Sequence, residues 1–294
     1  MRTMKPPMRL SPAKGMIFLV CTLVVCLVMC SVIGGILSIS GISLPKLRIL
    51  MVLQDLLVFV VPAIATAVIA TRYPARFLGI DRFPDAKVLL LTIVTIIAAI
   101  PAIDFIVMLN ESIRLPESMA SFETWMKEAE DAAGSTVEML LSGKSIGSLV
   151  VSLLIIGFLT GFSEEILFRG TMQRLLTPSN ASTHVAIWLT AFIFSAIHLQ
   201  FYGFIPRLLI GAFFGYLLVW SESLWLPVIG HILNNSMVVI STWMVNAGYM
   251  NNRIDKLGSE SASWPMALGS AILVAGLIIL LRRVAISSSE KSFK

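Results

Sequence analysis

The sequence contains few charged residues for its length. Of 294 residues, 13% are Asp, Glu, Lys or Arg, whereas 57% are hydrophobic, and the mean hydropathy is +0.89. A soluble core could not bury so many apolar side chains, so the composition excludes a soluble globular protein. The net charge is +5, but the sequence has no basic patch interleaved with aromatic residues. We therefore expect no nucleic-acid partner.

Cysteine is also scarce. Cys21, Cys26 and Cys30 all lie in the first apolar run, which excludes a disulfide framework and gives no reason to expect thiol catalysis. That run, residues 16–39, follows a basic start but is too long for the apolar part of a typical secretory signal. We therefore interpret it as a retained membrane helix.

Long apolar windows dominate the rest of the chain. About 20 such residues cross roughly 30 Å of hydrocarbon. The sequence thus predicts an all-α fold, a polytopic membrane helix bundle with about eight transmembrane helices in the lipid bilayer. The predicted domains are a basic cytoplasmic N-terminal segment (1–15), one transmembrane domain (16–284) and a cytoplasmic tail (285–294). The eight predicted spans are 16–39, 49–71, 88–109, 146–168, 184–200, 205–221, 224–245 and 264–281.

The distribution of Lys and Arg predicts the orientation. With the N terminus inside, more of these residues fall on the inner side than on the outer side, so both termini are predicted to be cytoplasmic. The short loops and the basic N-terminal segment favour a bacterial protein, so we expect the membrane to be a bacterial plasma membrane. The predicted outer loop, residues 110–145, is acidic and carries Phe122, Trp125, Met126 and Ala129 at helical spacing. This pattern predicts an amphipathic helix on the membrane surface.

Three charged residues interrupt the fourth window, which reaches about Leu176 if the helix continues to Pro178. Charges at membrane depth are costly unless paired or hydrated, so Glu164, Glu165 and Arg169 indicate a functional site. Glu165 and Arg169 are four residues apart and share a helix face, which predicts an ion pair. Glu164 points about 100° away around the helix. It is the carboxylate left free to act on water.

Two histidines fall in later apolar segments, in Phe194-Ser-Ala-Ile-His198 and in His231-Ile-Leu-Asn-Asn235. The spacing places His231 and Asn235 on one face, where an imidazole and an amide N–H form a plausible oxyanion hole. Alternatively, Glu164, His198 and His231 supply the ligands of a catalytic Zn²⁺ site with an open water position. The spacing does not decide between these two interpretations.

Together, Glu164-Glu165-x-x-x-Arg169, Phe194-x-x-x-His198 and His231-x-x-x-Asn235 resemble the motifs of the type II CAAX prenyl endopeptidases and their bacterial relatives, the CPBP or Abi family of intramembrane proteases. The similarity covers about residues 146–245. It implies an eight-helix peptidase acting on a peptide or protein substrate.

The resemblance also implies roles for the six motif residues. In the family, the first glutamate (here Glu164) activates water. The two histidines and the asparagine complete the site, and the Glu165–Arg169 pair is chiefly structural. Family members are commonly labelled metalloproteases, although a metal-free, glutamate-driven mechanism has also been proposed for this fold.

A non-enzymatic membrane protein is the alternative hypothesis, either a transporter with a carboxylate proton relay or a bacteriocin-immunity or scaffold protein. A relay would not need Asn235, and the sequence shows no inverted repeat of broken helices. A degenerate site would be expected to have lost at least one motif residue, and none of the motif positions is substituted. We interpret Gln54, Asp55 and Asp104 as structural residues near the outer ends of their helices.

Overall fold

The computed structural model describes residues 7–177, 182–250 and 264–291. The elements in these ranges are helices, and β-structure there is limited to an isolated antiparallel bridge between Met8 and Thr71. The longer helices are α1 (Pro12–Ser38), α2 (Leu44–Ala70), α3 (Ala86–Glu111), α4 (Ala120–Leu141), α5 (Ile146–Leu176), α6 (Thr183–Ala196), α7 (Phe204–Ser221), α8 (Trp225–Asn246) and α9 (Trp264–Lys291).

Seven helices among the described residues are long and apolar enough to cross a membrane: α1, α2, α3, α5, α7 with its preceding turn, α8 and α9. α6 is apolar but has 14 residues. α4, in the predicted outer loop, contains many charged residues. The predicted all-helical, multi-pass membrane bundle of about eight spans is confirmed.

Several helix ends differ from the predicted ones. α1 begins at Pro12, where the Ser11 hydroxyl accepts a hydrogen bond from the Lys14 backbone N–H. α2 begins at Leu44, before the predicted start, and has a proline in its first turn, a position that proline favours. The basic residues Lys46 and Arg48 donate to the Gly41 carbonyl oxygen and the Ser148 hydroxyl. α9 continues to Lys291 through most of the predicted tail. Residues 1–6 and 292–294 of the predicted terminal segments lie outside the described residues.

α5 lies at the centre of the bundle. Its side chains from Ser163 to Gln173 are buried, and Ile166, Leu167 and Phe168 pack against Val58 and Phe59 of α2. Burying a large apolar side chain contributes roughly 1.5–3 kcal/mol. The charged residues of α5 are therefore held within a well-packed apolar core.

Small residues let α8 approach α5 closely. A Cβ atom on Gly161 would lie 3.1 Å from the backbone nitrogen of Ile232, and one on Gly157 would lie 2.7 Å from the Ser236 hydroxyl. Both helices can therefore bring polar side chains within hydrogen-bonding distance of one another.

The α6–α7 hairpin is short. Fourteen residues of α-helix rise about 21 Å, less than the roughly 30 Å of hydrocarbon. The hairpin turn is covered by α4, since the rings of Phe122 and Trp125 pack 5.9 and 5.3 Å from the ring of Phe201. The turn therefore packs against α4, although Ile197 and Leu199 remain 49% and 50% exposed.

Candidate active site

The three charged residues of α5 are almost completely buried. Glu165 and Arg169 have no exposed surface, and Glu164 is 7% exposed. Glu164 and Glu165 lie in the α-helical segment Gly161–Leu167, which follows the π-helical segment Leu153–Thr160. Arg169 lies in the next π-helical segment, Phe168–Gln173. Such segments are frequent at functional sites.

The guanidinium of Arg169 is paired with a carboxylate and hydrogen-bonded to a backbone carbonyl. Its Nη1 lies 2.7 Å from Glu165 Oε1, and its Nη2 donates to the Gly211 carbonyl oxygen at 2.9 Å. The guanidinium carbon also lies 4.5 Å from the centre of the Phe194 ring, within cation–π range. A Cβ at Gly211 would lie only 3.1 Å from Nη2, so the glycine permits this approach.

His231 is oriented by the same carboxylate. Its Nδ1 lies 2.8 Å from Glu165 Oε1, and because this oxygen also accepts from Arg169, the imidazole Nδ1 carries the hydrogen. Nε2 then points toward Glu164, 3.5 Å from Oε2. One oxygen of Glu165 thus pairs with Arg169 and also orients the imidazole of His231.

His198 approaches Glu164 from the other side. It lies just beyond the end of α6 at Ala196, and its Nδ1 donates to the Phe194 carbonyl oxygen at 2.7 Å. Its Nε2 lies 3.8 Å from Glu164 Oε1. In the neutral form, both imidazoles therefore present an unprotonated Nε2 to one carboxylate.

The turn that carries His198 is strained and clamped. Leu199 has a φ of 54°, a conformation that costs a non-glycine residue free energy and tends to occur at functional sites. The buried Asn110 carboxamide bridges the turn, donating to the Phe201 carbonyl at 2.9 Å and accepting from the Ile205 N–H at 2.9 Å. Asn110 was not among the predicted site residues, because nothing in the sequence pairs it with the turn.

Asn235 lies one helical turn from His231, and its Nδ2 donates to the Ile156 carbonyl oxygen at 3.1 Å. This carbonyl belongs to a π-helical segment of α5. One of the two amide hydrogens is thus used between helices, and the other is left for a second acceptor. The neighbouring Asn234 faces a separate cavity.

Asp55 was assigned a structural role near the outer end of its helix, but the earlier start of α2 places it farther inside. It is 1% exposed, and its Oδ2 accepts from the Thr160 hydroxyl at 2.8 Å. It also interacts electrostatically with Glu164 and His231. The sequence could have indicated this position, because an acidic residue within an apolar membrane span is often part of a functional site.

The separations among Glu164, His198 and His231 bear on whether a metal ion can bind between them. Around a tetrahedral zinc with ligand distances near 2.0–2.1 Å, ligand atoms lie roughly 3.3 Å apart. The two Nε2–Glu164 separations, 3.5 and 3.8 Å, are slightly longer. Among the described residues, no group of three or more His, Cys, Asp or Glu is arranged to hold a metal ion. Zinc binding by Glu164, His198 and His231 therefore stays a prediction.

Comparisons with known proteins agree with the three motifs. Residues 146–237 match the family model described as type II CAAX prenyl endopeptidase Rce1-like, which confirms the resemblance for this part of the chain. The uncharacterized protein YpbD of Bacillus subtilis is 28% identical over 104 residues, which are 34% of this chain and 48% of that protein. The matched segment thus spans about half the length of this relative. No solved structure shows significant similarity to the chain.

The matched segment contains all six motif residues, from Glu164 to Asn235. The family model describes endopeptidases, so the match supports a peptidase at family level. Together with the seven apolar helices, it supports an integral, multi-pass membrane protein.

Proposed function

We propose that the chain is an intramembrane endopeptidase in which Glu164 activates the water that attacks a peptide bond. The observation that carries this proposal is the convergence of two oriented imidazoles on one buried carboxylate. His198 and His231 present Nε2 at 3.8 and 3.5 Å from the two oxygens of Glu164. Each Nδ1 is held by an acceptor of the protein.

These three groups can bind and orient water. An ionised carboxylate and two unprotonated imidazole nitrogens are acceptors. A water molecule between them can satisfy two acceptors with its two O–H groups, and its oxygen lone pairs then face outward toward a substrate carbonyl. The low-dielectric surroundings strengthen these hydrogen bonds.

The chemical step needs one proton carrier. In the proposed reaction, the water oxygen bonds to the carbonyl carbon while Glu164 takes one water proton. The protonated Glu164 then gives this proton to the amide nitrogen as the C–N bond breaks. Glu165 and Arg169 are not proton carriers in this scheme, because their charges are already paired.

The oxyanion requires a hydrogen-bond donor. Neutral His231 uses its N–H on Glu165, so in this form its Nε2 has no hydrogen to donate. We assign the role to the second amide hydrogen of Asn235, one helical turn from His231. Preorganised donors of this kind typically contribute 10²- to 10³-fold to turnover.

The proposed substrate is a peptide or protein that reaches the site from the membrane, and the proposed orientation has both termini in the cytoplasm of a bacterium. The charge bias of the loops supports this orientation. If Zn²⁺ binds, Glu164, His198 and His231 would hold it, and it would supply Lewis-acid activation of water.

The test compares membrane peptide profiles from cells that carry the native chain or Glu164→Gln. Glu128→Gln, on the exposed face of α4, is the matched control. Peptides released by the native and Glu128→Gln chains but absent from Glu164→Gln cells would support the peptidase. Identical profiles from all three chains would favour the non-enzymatic transporter, immunity or scaffold hypothesis.

A further inference from the structure

A groove separate from the candidate active site lies between α3, α7, α8 and α9. Its volume is about 1460 Å³, above the roughly 300–1,000 Å³ of pockets for small ligands. The walls are mainly apolar, and neither Glu164 nor either site histidine lines them. A ligand of this groove must therefore be large and mostly apolar.

The groove opens toward the membrane. Val238 and Ile279 line it and are 52% and 56% exposed, as expected for side chains that face hydrocarbon rather than water. Lipid is the apolar material available in excess at this surface. The arrangement of charged groups determines which lipid is favoured.

Two adjacent arginines, Arg282 and Arg283, line one end of the groove. Within the described ranges they have no hydrogen-bond or ion-pair partner. Trp264 begins α9, and a rise of 1.5 Å per residue places the arginines about 27 Å farther along it. This is close to the hydrocarbon thickness, so both arginines lie at the level of lipid head groups.

Aromatic residues also lie at the head-group level of the groove. Trp220 and Tyr216 stack with ring centres 5.4 Å apart and line the groove at the end of α7. Trp188, also in the wall, lies near the start of α6 at the same side of the bundle. Trp and Tyr prefer the membrane–water interface, and basic pockets between membrane helices bind anionic head groups.

We propose that the groove binds an anionic phospholipid, with its phosphate at Arg282 and Arg283 and its acyl chains along the apolar wall. The opposite half of the wall carries the carboxylate of Asp104, which would repel a phosphate. The charges thus fix the direction in which the lipid lies. This proposal does not depend on peptidase activity.

Native mass spectrometry of the full chain, titrated with phosphatidylglycerol or phosphatidylcholine, tests the proposal. Two arginines near a membrane surface predict a preference for phosphatidylglycerol of about tenfold to thirtyfold. Arg282→Gln/Arg283→Gln should reduce it below about threefold. Arg72→Gln/Arg76→Gln, which removes two basic residues outside the groove, should retain it. Equal binding of both lipids by the native chain, or an unchanged preference in Arg282→Gln/Arg283→Gln, would overturn the proposal.

A second pair of variants tests the location. Ala99→Trp fills the groove and should lower occupancy by both lipids, whereas Ile97→Trp, on the exposed face of the same helix, should not. Thermal melting of each variant shows whether it is folded. Loss of lipid binding in Ile97→Trp, or native binding in a folded Ala99→Trp, would place the lipid elsewhere and refute the assignment.

Discussion

Glu165 fixes the imidazole of His231 through a 2.8 Å contact between Oε1 and Nδ1, and both side chains are buried. The same oxygen pairs with Arg169. A residue expected only to neutralise an arginine therefore also determines which nitrogen of His231 faces Glu164. The structural pair and the proposed catalytic group form one network.

Glu164→Gln should reduce peptide release at least about a hundredfold, because an amide cannot accept the proton of the attacking water. The fold should be retained, since glutamine has nearly the same shape. The measurement is turnover of a released peptide by purified protein, with Glu128→Gln as the control. Turnover near the native value would remove Glu164 from the mechanism.

Truncating one partner of the Glu165–Arg169 pair should destabilise the protein by about 3–5 kcal/mol, because a buried charge is left unpaired. Thermal melting of Arg169→Ala in detergent measures this. Lys127→Ala, which removes the exposed partner of the pair with Glu123 on α4, should melt close to the native chain. If Arg169→Ala and the native chain melt at the same temperature, the pair does not stabilise the bundle.

Asn110→Ala should loosen the turn that carries His198. Misplacing a reacting group by about 1 Å can cost roughly 10² in rate, so kcat should fall while substrate binding changes little. Hydrogen exchange of residues 197–205 should also become faster. Asn246→Ala removes a side-chain hydrogen bond to the Leu141 carbonyl away from this turn and serves as the control. Native exchange in the turn of Asn110→Ala would contradict the assigned role.

Asn235→Ala should lower kcat roughly 10²- to 10³-fold if its second amide hydrogen stabilises the oxyanion. The lost bond to Ile156 should cost only about 0.5–1.5 kcal/mol of stability. Asn234→Ala is the matched control, since its side chain faces the groove. Equal turnover of the two variants would leave Asn235 with a packing role alone.

Zinc content decides between the two interpretations of the three donors. If the site is metal-free, active protein should contain well under one zinc per chain, and chelators should have little effect. The measurement is elemental analysis alongside activity. One zinc per chain, lost together with activity in His198→Ala and His231→Ala, would instead establish a metal site.

The sequence predicted the helical membrane architecture because the apolar length needed to cross the hydrocarbon is a property of local composition. Any run of about 20 apolar residues meets it whatever its neighbours are. The Glu165–Arg169 pair was predictable for a similar reason, since residues four apart on a helix face the same way. The comparison of residues 146–237 supported the motif assignment at family level.

Contacts between distant segments could not be predicted from these periodicities. Nothing local to Asn110 indicates that it bridges Phe201 and Ile205, and the position of Asp55 beside Thr160 depends on where α2 begins and how it packs on α5. The histidine tautomers also depend on acceptors supplied by the folded backbone and by Glu165.

By itself, the sequence determined that this is a multi-pass membrane protein and which polar residues its apolar helices carry into the bilayer, because burial of charge is costly wherever it occurs. Only the tertiary structure decided which of these residues meet. Side-chain hydrogen bonds act over about 3 Å. Helix packing at Gly157, Gly161 and Gly211 therefore sets the distances among Glu164, His198 and His231.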